Sequence, residues 1–236
     1  MDACKSFHID YIERNYRSLK KEIADLSAAL ARPEPTLVAV TKSGTDEELL
    51  ALAAAGACDF GENRPSEVKR RAELLKSSGF DVRMHEIGTL QSNKVKLVID
   101  KAALIHSLST HSTAREIEKR AAALGITVPV LAEINSAEEE SKDGVLPCDA
   151  ECFIKELSEY PHLKVRGLMT MGPVCDTEEQ IRPYFRLTKQ LFDRLLDVID
   201  FGCDPILSMG MSDSYRVAIE EGSTLVRVGR KLFVKN

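Results

Sequence analysis

The chain has 236 residues, 44% of them hydrophobic and 29% charged, ordinary globular usage that excludes disordered, collagen-like and fibrous classes. This length suits one barrel or one large α/β unit, so a single domain over residues 1–236 is expected. A formal charge of −5, with Lys and Arg interspersed among Asp and Glu, carries no footprint for nucleic acid or an anionic membrane.

The start, Met1 to Ser6, has no apolar signal segment, and no apolar run approaches the roughly 20 residues that span a bilayer. A cytoplasmic protein is expected. Six cysteines, Cys4, Cys58, Cys148, Cys152, Cys175 and Cys203, are scattered with no CxxC pair and no His at finger spacing, so reduced thiols are expected. Redox or metal chemistry at the Cys148-x3-Cys152 pair is the alternative. From Ser6 to Ala31, the residues Ile9, Ile12, Tyr16, Leu19, Ile23, Leu26 and Leu30 recur at spacings of three and four, which predicts a long amphipathic helix ended by Pro33 and Pro35. Its stripe either packs on the chain's own barrel, the reading favoured by its shortness, or forms a coiled-coil seam. A monomer or weak dimer is expected.

After Pro35 a short apolar run, a polar turn and a helical stretch alternate. Strands are predicted at Leu37–Val40, Cys58–Gly61, Val82–Ile87, Leu104–Leu108, Val128–Ile134, Val165–Met169, Ile206–Met209 and Leu225–Val228. Thr45-x-x-Glu48 reads as a capping box, Asn63 as a cap ahead of Pro65, and Ser212 or Asp213 as the cap of the last helix before Gly222. Eight strands at βαβ spacing predict a closed (β/α)8 TIM barrel ahead of an open doubly wound sheet, because the turn after the first strand, Thr41-Lys42-Ser43-Gly44, is no GxGxxG.

In such a barrel the chemistry collects at the carboxyl ends of the strands. Lys42, Asn63, His85, Ser107, Glu133, Asn135, Met169, Met171, Ser208, Met209, Ser212, Arg227 and Gly229 fall there. Two readings of Lys42 stand side by side. A lysine at the buried end of an apolar strand has its ammonium desolvated and its amine available for imine formation, whereas a structural lysine snorkels to the rim or pairs with Glu62. The loops Leu207–Ser212 and Val226–Arg230 carry the Gly, Ser and Arg that suit a phosphate dianion, with the turn from Arg230 opening a helical start. An imine-forming lysine facing a phosphate cradle is what pyridoxal 5'-phosphate (PLP) requires, and what an aldolase-type Schiff-base enzyme requires too. Arg227 helps to separate them, because a donor that does not titrate suits the pyridine nitrogen.

The segments Val38–Lys42, Phe60–Arg64, Met84–Lys94, Leu207–Ser212 and Gly222–Gly229 closely resemble the YggS/PROSC family of pyridoxal phosphate homeostasis proteins, which are similar to the N-terminal barrel of alanine racemase (PLP fold type III). The resemblance covers nearly the whole chain. It implies that Lys42 holds the cofactor as a Schiff base and that Ser208, Gly229 and the backbone of Arg230 bind the phosphate. It also implies that Arg227 meets the pyridine nitrogen, that Met209 and His85 lie close to the ring, and that Asn63 lies near the Schiff-base end. The chain has Met84 and Glu86 where the family commonly carries aromatic residues, and Val234 where a glycine usually follows the phenylalanine.

The resemblance implies a non-catalytic PLP binder that buffers the reactive aldehyde and delivers it to apoenzymes. The alternative is an amino-acid racemase, which needs a second acid/base opposite Lys42. None of Tyr11, Tyr16, Tyr160, Tyr184 and Tyr215 falls at a predicted strand end, and the chain stops where a racemase's second domain would begin, so the binder is the expectation.

Overall fold

The computed structural model describes residues 7–235; Cys4 and the start of the first predicted helix lie outside them. Eight parallel strands close into a barrel in sequential order. They are β1 (Thr36–Val40), β2 (Asp59–Glu62), β3 (Arg83–Glu86), β4 (Ala102–Leu108), β5 (Val128–Glu133), β6 (Leu163–Met169), β7 (Ile206–Ser208) and β8 (Leu225–Val228), with β8 pairing back onto β1. The helices are α1 (Asp10–Ala29), α2 (Asp46–Ala54), α3 (Pro65–Ser77), α4 (His111–Leu124), α5 (Ala150–Leu157), α6 (Glu178–Leu196) and α7 (Tyr215–Glu220), with 3-10 turns at Ser92–Leu97 and Arg230–Leu232. This is the TIM barrel that the alternating pattern predicts.

Strand alternation divides the core in two. Val38, Leu104, Leu131, Met169 and Leu225, with Ile206, form a small cluster separate from the main one, as expected of side chains that point into the barrel. The large core, including Leu49, Phe60, Ile117, Phe185 and Tyr215, fills the layer between strands and helices. Helix α1 buries Ile12, Tyr16, Leu19 and Ile23 and packs on α2, α7 and the Arg230–Leu232 turn. The side-chain amide of Asn15 donates to the carbonyls of Leu232 (3.2 Å) and Val234 (2.9 Å). The apolar stripe is thus used on the chain's own barrel.

Helix starts follow local chemistry, with two corrections. Thr45 caps α2 in a complete capping box with Glu48. Asn63, however, is not the cap of α3: Arg64 is, with extended dihedrals and no side-chain bond, because the residue before a proline is pushed out of the helical region and the helix opens at Pro65. Nor does Ser212 or Asp213 cap α7. The N-cap is Ser214; the Ser212 hydroxyl accepts from the Gly229 N–H (3.2 Å) and the Asp213 carboxylate is taken by Arg230.

Gly167 in β6 has φ +143°, and a Cβ there would lie 1.9 Å from the carbonyl oxygen of Ile206 on β7. Gly167→Ala is expected to destabilise the barrel by about 2 kcal/mol through backbone strain and a pushed strand, read from denaturant unfolding; a loss within about 0.5 kcal/mol, the ordinary surface range, would contradict this. Among the described residues no helix is long and apolar enough to cross a membrane, and no group of three or more His, Cys, Asp and Glu could hold a metal ion. Cys148 and Cys152 are exposed free thiols.

Candidate functional site

Lys42 sits just beyond β1 on a turn closed by the Gly44 N–H donating to the Thr41 carbonyl at 2.8 Å. It is exposed, not buried as the strand-end reading expected, because β1 ends at Val40 and Lys42 stands in the turn beyond it. Nor is Glu62 left for it. The buried Glu62 carboxylate accepts from the Thr41 hydroxyl (2.5 Å) and from Arg71 Nη1 (2.6 Å). Arg71, on α3 and only 5% exposed, donates from Nη1 to the Thr41 carbonyl (2.6 Å) and from Nη2 to the Gly44 carbonyl (2.8 Å). One guanidinium therefore grips both ends of the lysine-bearing turn. Burial pushes the Glu62 carboxyl up, against the pull of the Thr41 hydroxyl and Arg71. Asn63 is exposed just past β2.

Inside the barrel, polar residues continue the inward positions of several strands. Arg227, two residues beyond Leu225, is 3% exposed and donates to the Ser208 hydroxyl and to the Thr170 carbonyl (3.1 Å). Burial pulls its guanidinium down to about 10, with the Glu133 carboxylate acting the other way, so it stays a cation at neutral pH. Ser208 and His106 are fully buried, with Ser208 Oγ 3.1 Å from His106 Nδ1. His106 Nε2 lies 2.9 Å from His85 Nδ1, and His85 Nε2 lies 2.9 Å from Asp59 Oδ1. Arg83 closes the line with two 2.6 Å bonds to Asp59. Burial alone would raise the Asp59 carboxyl, but its bonds from Arg83 and His85 bring it down to about 2. Glu133 at the end of β5 is buried with Oε2 unpartnered; burial pushes it up to about 7, Asp143 adds to this and Arg227 opposes it.

The structure places three of the expected site residues inside the protein. Ser208, expected at the phosphate, is enclosed in the barrel and bonded to Arg227 and His106. His85, expected at the mouth, has both nitrogens committed to His106 and Asp59. Met209, expected near the ring, is fully buried in the core shared with the helices, because along β7 Ile206 and Ser208 face inward and Leu207 and Met209 outward.

The last two loops come together as predicted. Gly229 follows β8 with its N–H on Ser212 Oγ, and a Cβ on it would lie 2.9 Å from the Val40 carbonyl oxygen, so this loop lies against the end of β1, two residues before Lys42. Gly210 has φ +90°, and a Cβ there would meet Ala218 at 2.5 Å and the Tyr215 backbone at 2.9 Å. The turn Arg230–Leu232 follows, with Arg230 paired to Asp213. Lys42, Asn63 and Gly229 stand at the ends of β1, β2 and β8 respectively, with β1 between the other two. Arg71 and Ser212 support this mouth while Asp59, His106 and Thr170 belong to the buried polar line behind Arg227; of these only Ser212 was anticipated.

A family model described as "Alanine racemase, N-terminal domain" matches residues 9–236. A curated protein of Aquifex aeolicus named pyridoxal phosphate homeostasis protein is 45% identical over 174 residues, 74% of this chain and 75% of that protein. One of the same name from Haemophilus influenzae is 32% identical over 224 residues, 94% of each chain. Among solved structures, PipY of Synechococcus elongatus with PLP bound is 29% identical with a TM-score of 0.77, covering 90% of this chain and all (100%) of that one. Alanine racemase from Corynebacterium glutamicum, 18% identical with a TM-score of 0.73 over 96% of this chain and 61% of that one, shares the fold. The chain thus belongs to the alanine racemase N-terminal domain family and, within it, to the pyridoxal phosphate homeostasis proteins.

Proposed function

We propose that the protein holds PLP on Lys42 as a Schiff base, for intracellular storage and delivery to apoenzymes, without catalytic turnover. One observation carries this reading: an exposed Lys42 on a turn clamped by Arg71 follows the end of β1, against which the Gly229 loop with Ser212 and Arg230 lies, and Arg227 is a buried cation on the adjoining β8. When bound, the cofactor brings an aldehyde that condenses with an amine, releasing water, and a phosphate dianion at the other end of its ring.

The residues fit both ends. Gly229, with no side chain, lets its backbone approach the dianion, Ser212 supplies a hydroxyl and Arg230 a cation. Arg227, a donor at neutral pH, would meet the ring nitrogen and keep it unprotonated, and Asn63 would border the lysine end. An exposed Lys42 suits reversible uptake and release. Holding is favoured over racemisation because Tyr11, Tyr16, Tyr184 and Tyr215 lie on α1, α6 and α7 and Tyr160 just past α5, while the nitrogens of His85 are already engaged.

Titration of the purified protein with PLP is expected to produce visible imine absorption in the wild type and none in Lys42→Ala. The loaded protein is expected to leave L-alanine unracemised. Equal absorption in Lys42→Ala, or racemisation abolished by that substitution, would overturn the reading.

A further inference from the structure

The polar line through the barrel has a direction. Asp59 and Arg83 open β2 and β3 at the amino-terminal end of the barrel, whereas Ser208 and Arg227 lie toward the carboxyl ends of β7 and β8. The ionised Asp59 only accepts, which fixes a proton on His85 Nε2. His106 is enclosed, and burial, His85 and the Arg227 cation all push it well below the ordinary imidazole range, so it carries one N–H.

Two placements of that proton are possible, and hydrogen-bond accounting separates them. With the proton on Nδ1, His106 would point it at Ser208 Oγ, which already receives an N–H from Arg227. The serine's own proton would then find no acceptor in this line, and His85 would have to be doubly protonated to supply His106 Nε2. With the proton on Nε2, every donor meets an acceptor. Arg227 donates to Ser208, Ser208 to His106 Nδ1, His106 Nε2 to His85 Nδ1, and His85 Nε2 to Asp59. A buried donor without a partner is costly, so the second order holds. The Thr170 carbonyl, on a separate N–H of Arg227, limits rotation of the guanidinium.

We propose that Asp59, His85, His106 and Ser208 are positioning residues for Arg227, a hydrogen-bonded chain with all donors aligned that spans the barrel and fixes the group facing the cofactor's ring nitrogen. This rests on the PLP reading above. It predicts that residues never touching the cofactor control its ring-nitrogen end and act only through Arg227.

The test has two arms. Nitrogen-15 NMR of the imidazoles in wild-type protein without added cofactor is expected to find the single protons of both His85 and His106 on Nε2. PLP titrations of Ser208→Ala and His106→Leu are expected to show uptake weakened by about tenfold, the size seen when groups supporting a bound centre are lost, together with a shifted visible band. In an Arg227→Leu background neither substitution is expected to add anything. Ser208→Ala removes one hydroxyl and adds no bulk, so it carries the test if His106→Leu does not fold. A proton on His106 Nδ1, or equal effects with and without Arg227, would overturn this inference alone. A wild type that takes up no PLP would overturn the functional reading and this inference with it.

Discussion

Arg71→Leu is expected to destabilise the protein by about 3–5 kcal/mol, the cost of leaving one partner of a buried ion pair alone, and to loosen the turn that carries Lys42. Glu62 is 1% exposed, and without Arg71 its carboxylate keeps only the Thr41 hydroxyl, while the Thr41 and Gly44 carbonyls each lose a charged donor. Protonation of Glu62 relieves part of the cost, the more so because burial already pushes that carboxyl up. Glu62→Gln added to Arg71→Leu is therefore expected to recover part of the stability and none of the turn's rigidity. Denaturant unfolding of both variants, with PLP uptake measured alongside, checks this. A loss below about 1 kcal/mol, the range of an exposed pair, would show that the clamp is not what holds the turn.

Glu86→Gln is expected to remove this carboxyl's own share of the stability that the wild type loses as pH rises, leaving the shares of Glu133 and Glu62. Glu86 is fully buried; Oε1 accepts the Gly88 N–H at 3.0 Å and Oε2 has no partner. Burial pushes this carboxyl from 4.5 up to about 8, with the Gly88 N–H pulling against it and the Glu62 charge adding to it. Because the folded value lies above the unfolded one, the contribution is fully present below about pH 4.5. It declines as pH climbs toward 8, the unfolded chain releasing a proton that the folded protein retains. The loss levels off above pH 8 at on the order of 5 kcal/mol. Unfolding free energies of wild type and Glu86→Gln should accordingly agree near pH 4.5 and diverge by pH 8.5, with the variant the more stable. Parallel pH profiles would contradict the assignment.

The architecture was readable because each strand announces itself as an apolar run between turn signals, and β8 matches its predicted span residue for residue. Other boundaries moved by one or two residues, as at β2, where pairing with β3 begins at Asp59 and not at Cys58. The glycines of the last two loops, Gly210 and Gly229, were legible for the same local reason. What stayed hidden depends on side chains meeting across the barrel. His106 looked like an ordinary member of β4, yet it occupies the inward position beside Leu104, where a packed barrel normally carries an aliphatic residue. That mismatch, repeated at Ser208 and Arg227, was the available signal. Arg71 left a similar trace: it shares the buried stripe of α3 with Val68 and Leu75 at spacings of three and four, a place where an arginine needs a buried partner. Exposure of Lys42 was not legible, since it turns on where β1 ends.

The central claim is that Lys42 is the residue to which the cofactor is joined. Borohydride reduction of the wild type after incubation with PLP, followed by proteolysis and mass spectrometry, tests it most directly. The pyridoxyl label is expected on the peptide containing Lys42; a label on other lysines alone, or no label on any peptide, would contradict the account.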